Sequence, residues 1–321
     1  MESQLTFLQA VKFFSEFENC RKFMVDLRWP DGKVTCPRCG ADRITYLDKA
    51  RVWKCYGKHE SPKFSLKTGT IFEDSPIGLD KWLPVVWLIV NCKNGVSSYE
   101  IHRDIGVTQK TAWFMLHRVR LAMQDEETGG KLSGEVEVDE TFIGGKARNM
   151  HADKRKEKIR GRGPEGKAIV AAVLERGGQV RARVIANRRK KSLHALVKGN
   201  VKPGSSLFSD ALKSYIGLEK TFKHQVIDHA EAYVNGNIHT NGTENFWSLL
   251  KRGIHGTYVS VEPFHLFRYV DEQSFRFNTR LDSAGEVITD YNRFKLALSK
   301  IVGKRLTYKA LIGQECETAV V

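Results

Sequence analysis

The sequence predicts an α/β chain built in parts: a small cysteine-bearing ribbon, a pair of helices joined by a tight turn, and a domain around a mixed sheet. Three observations predict it. Cys36, Cys39, Cys55 and His59 stand at C-x2-C-x15-C-x3-H spacing. Residues 97–124 hold two capped helical patterns separated by Gly106. From Glu135 onward, short apolar runs alternate with turn residues and helical stretches, and two of those runs close on an aspartate. The expected division is N-terminal helices over 1–30, ribbon over 31–75, helical pair over 76–127, sheet domain over 132–281 and a helical tail over 282–321.

Charge narrows the partners. Lys and Arg outnumber Asp and Glu by 52 to 37, a net charge of +15, which is the electrostatic footprint of a protein that meets a polyanion. Nucleic acid is the first candidate, because no basic amphipathic helix or lipidation signal points to a membrane surface. The first residues lack the basic start and long apolar run of a secretory signal, and no stretch reaches the length of a membrane span. A cytoplasmic location is expected. In that compartment cysteines serve as metal ligands or free thiols and not as a disulfide framework.

Residues 5–28 carry apolar positions at helical intervals and predict one or two helices ahead of Trp29-Pro30. In CPRCG, Cys36 and Cys39 sit on a tight turn ending in Gly40, and two thiolates on such a knuckle take two corners of a tetrahedral zinc. Cys55 and His59 supply the other two corners, where a more usual ribbon would place a further cysteine. Residues 64–75 read as a hairpin and loop, and 80–92 as a buried helix interrupted at Pro84. Ser97 or Ser98 then caps a short helix, Gly106-Val107-Thr108 makes the turn, and Thr108 caps a longer helix from Gln109 to about Gln124. This is helix-turn-helix rhythm, with Gln109, Lys110 and Thr111 where base edges would be met. An ordinary helical hairpin has the same pattern.

The polar run at 126–130 marks a boundary. In GEVEVDETFIGG, Val136 and Val138 alternate with Glu135, Glu137 and Asp139, so a strand is expected to end near Asp139. An acid there is either solvated or holds a cation. Residues 146–167, with nine Lys or Arg, predict a mobile basic surface loop. Strands are expected at 168–175 and 179–185, a helix at 192–197, a strand at 206–209 that delivers Asp210, a helix near 211–217 and a strand at 224–227. In NGTENFWSLLKR, Glu244, Trp247, Ser248 and Lys251 share one helical face, which suits a helix lining a site. Asn241 to Glu244 also fits a capping box, in which the acid only satisfies a backbone N–H. His239 is read as structural or as orienting a phosphate or water, and Trp247 as core or as a stacking platform for a displaced base.

The sequence resembles the bacterial insertion-sequence transposases of the zinc-ribbon type. The residues that carry the resemblance are CPRCG, KFSLKTGTIFEDS, VDETFIGG around Asp139, FSDALKSY around Asp210, HTNGTENFWSLLKRGIHGTY around Glu244 and Lys251, and RYVDEQSFRFNTR. It implies a ribonuclease-H-like mixed-sheet catalytic domain in which Asp139, Asp210 and Glu244 hold two Mg²⁺ or Mn²⁺ ions while Lys251 meets a DNA phosphate. The third position varies between Glu and Asn in such proteins, so Asn241 and Asn245 stand as rivals to Glu244. Structural zinc would sit on Cys36, Cys39, Cys55 and His59. Arg188 and Arg189, with Arg276 and Arg280, are expected to meet DNA backbone; Glu272, Arg276 and Arg280 also fit a surface ladder of charges. The implied activity is binding of terminal inverted repeats, DNA cleavage and strand transfer, by a homodimer or larger assembly on double-stranded DNA. Two other readings keep the residues but change the outcome: a cleavage-only nuclease, or a DNA-binding regulator with a decayed catalytic domain.

Overall fold

The computed structural model describes residues 5–124, 130–145, 150–158, 165–227 and 239–314. The chain forms two compact units, Met1–Gln124 with Leu281–Val321, and Asp125–Arg280.

In the first unit, α1 (Phe7–Phe14) starts in a capping box between Thr6 and Gln9, and α2 (Phe17–Arg28) follows. A three-stranded antiparallel sheet comes next, formed by β1 (Ile44–Leu47), β2 (Val52–Cys55) and β3 (Lys63–Phe64) in that order. Beyond β3 the chain turns without forming the expected hairpin; Thr70 instead bridges Val302. Helix α3 (Leu79–Asn91) runs through Pro84 without a break, contrary to the interruption expected there. The missing N–H removes one helical bond, and the burial of Leu83, Val85, Val86 and Ile89 around it offsets that loss. Helix α4 (Ser98–Ile105) opens on a Ser97–Glu100 capping box and closes on Gly106 at φ 63°. Thr108 caps α5 (Gln109–Met123), as the sequence predicts.

The second unit is built on a five-stranded sheet. Strand β4 (Glu135–Ile143) is followed by helix α6 (Ala152–Lys158), which stands within the stretch expected to be a loop; 146–149 and 159–164 of that stretch lie outside the described residues. Next come β5 (Ala168–Glu175), β6 (Val180–Ile185), α7 (Lys190–Asn200), β7 (Ser206–Asp210) and β8 (Lys223–Ile227). The spatial order is β6-β5-β4-β7-β8, antiparallel on the β5 side of β4 and parallel on the β7 side. This is the mixed sheet expected of a ribonuclease-H-like domain. Helix α8 (Asn241–Arg252), a wide helical turn at Gly253–Tyr258 and helix α9 (Leu266–Asn278) complete the unit.

The sheet is buried on both faces, and alternation sorts its residues. Val170, Ala172, Leu174 and Ile143 pack with Phe246, Trp247 and Leu250 of α8 and with Val270 and Phe277 of α9. Val136, Val138, Ala171, Val173 and Leu207 pack with Leu193 and Val197 of α7 on the other face. Glu137 and Asp139 therefore point toward α8, and Glu140 toward α7. Beyond Leu281 the chain rejoins the first unit through α10 (Asp290–Ser299) and α11 (Tyr308–Leu311). Among the described residues, no helix is long and apolar enough to cross a membrane.

Candidate zinc centre and active site

The knuckle closes as its spacing predicts. The donor atoms of Cys36, Cys39, Cys55 and His59 all lie within 4.8 Å of one another. Cys39 Sγ is 3.6 Å from Cys55 Sγ, and Cys36 Sγ is 3.6 Å from His59 Nε2. A tetrahedral zinc with Zn–S bonds of about 2.3 Å spans edges of about 3.8 Å, so the set fits the ion. Burial works to raise the Cys36 thiol, but N–H groups of Arg38 and Cys39 and the neighbouring thiols outweigh it and lower its pKa. The Gly57 N–H donates to Cys55 Sγ at 3.2 Å, and any Cβ at Gly57 would come within 2.9 Å of Cys39 Sγ. His59 brings the fourth donor atom to the set.

Asp139 lies in the middle of β4 and not at its end, because β5 continues to pair with β4 as far as Ile143 opposite Ala168. The pairing of β4 with β7 does stop here. Val138 is opposite Ser209, which puts Asp139 beside Asp210, the last residue of β7, on the α8 face. Asp139 Oδ2 accepts from Trp247 Nε1 at 2.8 Å, and Oδ1 accepts from the Glu140 N–H at 2.8 Å. Asp210 Oδ1 accepts from the Leu212 N–H at 3.1 Å. Burial pushes the Asp139 pKa up to about 7, and the charges of Glu140 and Asp210 add to the rise against those two hydrogen bonds. Like charges on neighbouring strands, one of them desolvated, create a demand for a cation.

The start of α8 is not a capping box. Its N-cap is Thr240, with no side-chain cap, and the Thr243 N–H donates to Glu137 Oε2 at 3.0 Å. Glu137 is 1% exposed, and its Oε1 accepts from Arg176 Nε at 3.0 Å. Arg176 also donates to the His239 carbonyl at 2.7 Å and stacks 4.1 Å from the Phe208 ring. His239 Nδ1 sits between Arg176 Nη2 at 3.2 Å and Glu137 Oε1 at 3.3 Å, which gives this histidine a structural place. Glu244 is left exposed and free of the capping duty. Among the described residues, only the Cys/His set brings three or more potential ligands close enough for one ion; Asp139, Asp210 and Glu244 do not form such a group.

Other expected site residues are placed variously. Lys251 stands in the last turn of α8, half-buried. Trp247 is core, 5% exposed, yet its indole N–H is committed to Asp139, so stacking on a displaced base would need it withdrawn. Arg188 donates to Glu140 Oε1 at 3.3 Å, while Arg189 is exposed at the N-cap of α7. Arg276 does not face outward as expected: it is 8% exposed, ion-paired with fully buried Glu272 and bonded to Gln273 at 2.9 Å. The ladder is a buried pair because α9 is embedded on several sides, and Arg280, beyond its end, stacks on Phe277 at 3.7 Å. At the front of α5, Gln109 donates to Ser98 Oγ at 2.8 Å, Lys110 lies over the Tyr308 ring and Thr111 pairs with Thr108 Oγ1 at 2.9 Å.

Sequence reasoning passed over Glu137 and Glu140. Glu140 is held by Tyr215 Oη at 2.7 Å, and burial followed by the Asp210 charge raises its pKa. The alternation of Glu135, Glu137 and Asp139 was the available signal, since it sets Glu137 on the face of Asp139.

Comparison with known proteins falls on the same two places. Residues 131–278 match the ISXO2-like transposase domain, and residues 15–57 match the transposase zinc-ribbon domain, a match that ends two residues before His59. The chain is 26% identical over 256 residues to a protein in transposable element ISH50 of Halobacterium salinarum, covering 76% of this chain and 85% of that one. It is 29% identical over 96 residues to a transposase-like protein of Haemophilus influenzae, covering 30% of this chain and 77% of the relative. A simian T-cell lymphotropic virus intasome in complex with PP2A regulatory subunit B56 gamma is similar at 12% identity and a TM-score of 0.31, over 66% of this chain and 74% of that chain, a likeness too slight to bear on fold or function. With one match on the cysteine knuckle and the other on the sheet that holds the acid pair, the chain carries the zinc-ribbon domain and the ISXO2-like domain of insertion-sequence transposases.

Proposed function

We propose that this transposase binds the terminal inverted repeats of its element through the ribbon and the α4–α5 pair, and cuts and rejoins DNA at Asp139, Asp210 and Glu244. The observation that carries the reading is the placement of Asp139 beside Asp210 on one sheet face, with α8 fastened to Asp139 through Trp247. Their carboxylates are hard oxygen donors of the kind Mg²⁺ and Mn²⁺ prefer. Two such ions, when bound, stabilise the attacking and leaving oxygens of an in-line displacement at phosphorus.

Helical geometry favours Glu244 as the third acid. At about 100° per residue, Glu244 lies about 60° from Trp247 around α8, whereas Asn245 lies about 160° away and Asn241 about 120°. Lys251 falls about 40° from Trp247 on the same side, where it meets a DNA phosphate as a point charge. The partners are the element ends and target DNA, both double-stranded, and joining two ends calls for a dimer or larger assembly. The protein works in the cytoplasm, on the nucleoid.

Asp139→Asn or Asp210→Asn is expected to abolish Mg²⁺-dependent joining of pre-cleaved ends while end binding survives. Joining retained in either variant would remove these carboxylates from the chemistry. Wild-type protein that cleaves but never joins pre-cleaved ends would make the enzyme a nuclease.

A further inference from the structure

The C-terminal segment carries chemistry that the catalytic domain does not use. Residues 291–314 hold six Lys or Arg and no Asp or Glu. The segment is fixed within the first unit from end to end. Fully buried Phe294 packs 5.8 Å from Phe14, 5.8 Å from Phe23 and 5.2 Å from Trp87, ring to ring. The Ile71 N–H donates to the Ile301 carbonyl at 3.1 Å and the Gly303 N–H to the Gly69 carbonyl at 2.9 Å, so the chain crosses the loop that follows the ribbon.

It then reaches the front of α5. Arg118 of α5 donates to the Leu306 carbonyl at 3.2 Å and to the Glu73 carbonyl at 2.8 Å, joining helix, loop and tail. Tyr308 stands edge-on to Phe114 at 5.7 Å and carries Lys110 Nζ 4.5 Å above its ring. Asp74, Lys110, Thr111, Phe114 and Tyr308 line a cleft of about 240 Å³ there. Arg305 reaches Asp74 at 2.6 Å in a solvent-exposed pair, and such a pair yields at little cost to a phosphate.

We propose that Lys304–Lys309 is part of the surface that grips duplex DNA, with Arg305 and Lys309 meeting the phosphate backbone and Tyr308 acting as a positioning residue for Lys110. The inference rests on reading α4 and α5 as the DNA-reading pair. It adds a piece of chain more than 180 residues further along the sequence, after residues 125–280, to the head that reads the DNA. A cationic strip on a rigid support beside the front of α5, with Asp74 an exposed partner of Arg305 that a phosphate can replace, suits a regular polyanion, and phosphate contacts of this kind fix the register of a reading helix.

The test uses the full-length zinc-loaded protein and a mixed-sequence DNA duplex, across a series of salt concentrations. Tyr308→Ala is expected to weaken binding about threefold to fivefold, with Tyr308→Phe retaining wild-type affinity because the ring that holds Lys110 remains. Lys309→Ala is expected to lower the slope of log affinity against log salt by about 1. Lysine acetylation of the wild-type protein with and without duplex needs no variant, and should show Lys309 protected together with Lys110. If Lys110→Ala weakens binding while Tyr308→Ala and Lys309→Ala bind as wild type and Lys309 stays open to acetylation, the tail is not part of the surface and the α4–α5 reading stands. If Lys110→Ala also binds as wild type and neither lysine is protected, the α4–α5 reading falls and takes this inference with it.

Discussion

Asp139 is held from two sides, by the indole N–H of Trp247 and by the backbone N–H of Glu140, and still titrates near 7 because burial outweighs both bonds. Its folded pKa is raised from 3.8, so between about pH 4 and pH 7 the folded protein binds more protons than the unfolded chain. Stability contributed by the protonated acid is present below the unfolded pKa and is lost as pH rises through the folded one. We therefore expect Asp139→Asn to raise the thermal midpoint of metal-free protein at pH 8, by an amount corresponding to roughly 2–4 kcal/mol, and the gain to vanish near pH 4. A midpoint that drops at pH 8 would mean that the hydrogen bonds, not the buried charge, dominate at this position. The sequence made Asp139 and Asp210 legible as acids on strands, because alternation and strand-closing polarity are local signals. It could not show Asp139 in mid-strand, since that depends on β5 pairing past it to Ile143.

At the scale of elements, the same contrast between local and distant partners separates the helices. The α4–α5 pair was largely legible: Ser97, one of the two serines expected to cap α4, Gly106 in the left-handed region and Thr108 are all caps formed within a few residues of the helices they bound, and the structure adds the reciprocal bond from Ser97 to Glu100. Helix α8 was not. Its first turn is satisfied by Glu137, 106 residues away, so the apparent box from Asn241 to Glu244 is a coincidence of letters. Likewise the pairing of Glu272 with Arg276 was legible from spacing, but its burial follows from what packs around α9. The Glu137 contact fastens the helix that carries Glu244 and Lys251 to the strand that carries Asp139. Glu137→Ala would leave Arg176 with the more exposed Glu135, 3.1 Å from its Nη1, and the buried Thr243 N–H without its acceptor, a loss of about 1–3 kcal/mol. Glu137→Gln should lose less, because its amide oxygen still accepts from Thr243. Urea denaturation of the three proteins is the check. Wild-type stability in Glu137→Ala would show that α8 is seated by its apolar face alone.

Across the whole chain, the least legible feature was the tail. Residues 282–321 looked like a separate helical end because their apolar positions are spaced like those of any small helix, and nothing local says what covers them. In the structure residues 282–314 complete the first unit: Phe294, Leu298, Ile301, Leu306 and Leu311 are each buried to 1% exposure or less within it. The catalytic unit is thus an insertion between two halves of the other unit. It has two cores of its own, one on each face of the five-stranded sheet. Two consequences follow from that arrangement. A fragment spanning 125–280 should fold alone, since its sheet is covered on both faces by its own helices. A fragment spanning 1–124 should not, because without the tail it exposes Phe14, Phe23 and Trp87 where Phe294 packs and Phe114 where Tyr308 and Leu306 pack. Co-expressed with 281–321 as a second chain, it is expected to become soluble, to copurify with that chain at one to one and to retain zinc. A tail-free 1–124 that stays monomeric and melts at the same temperature as the co-expressed pair would show that these residues only decorate the unit.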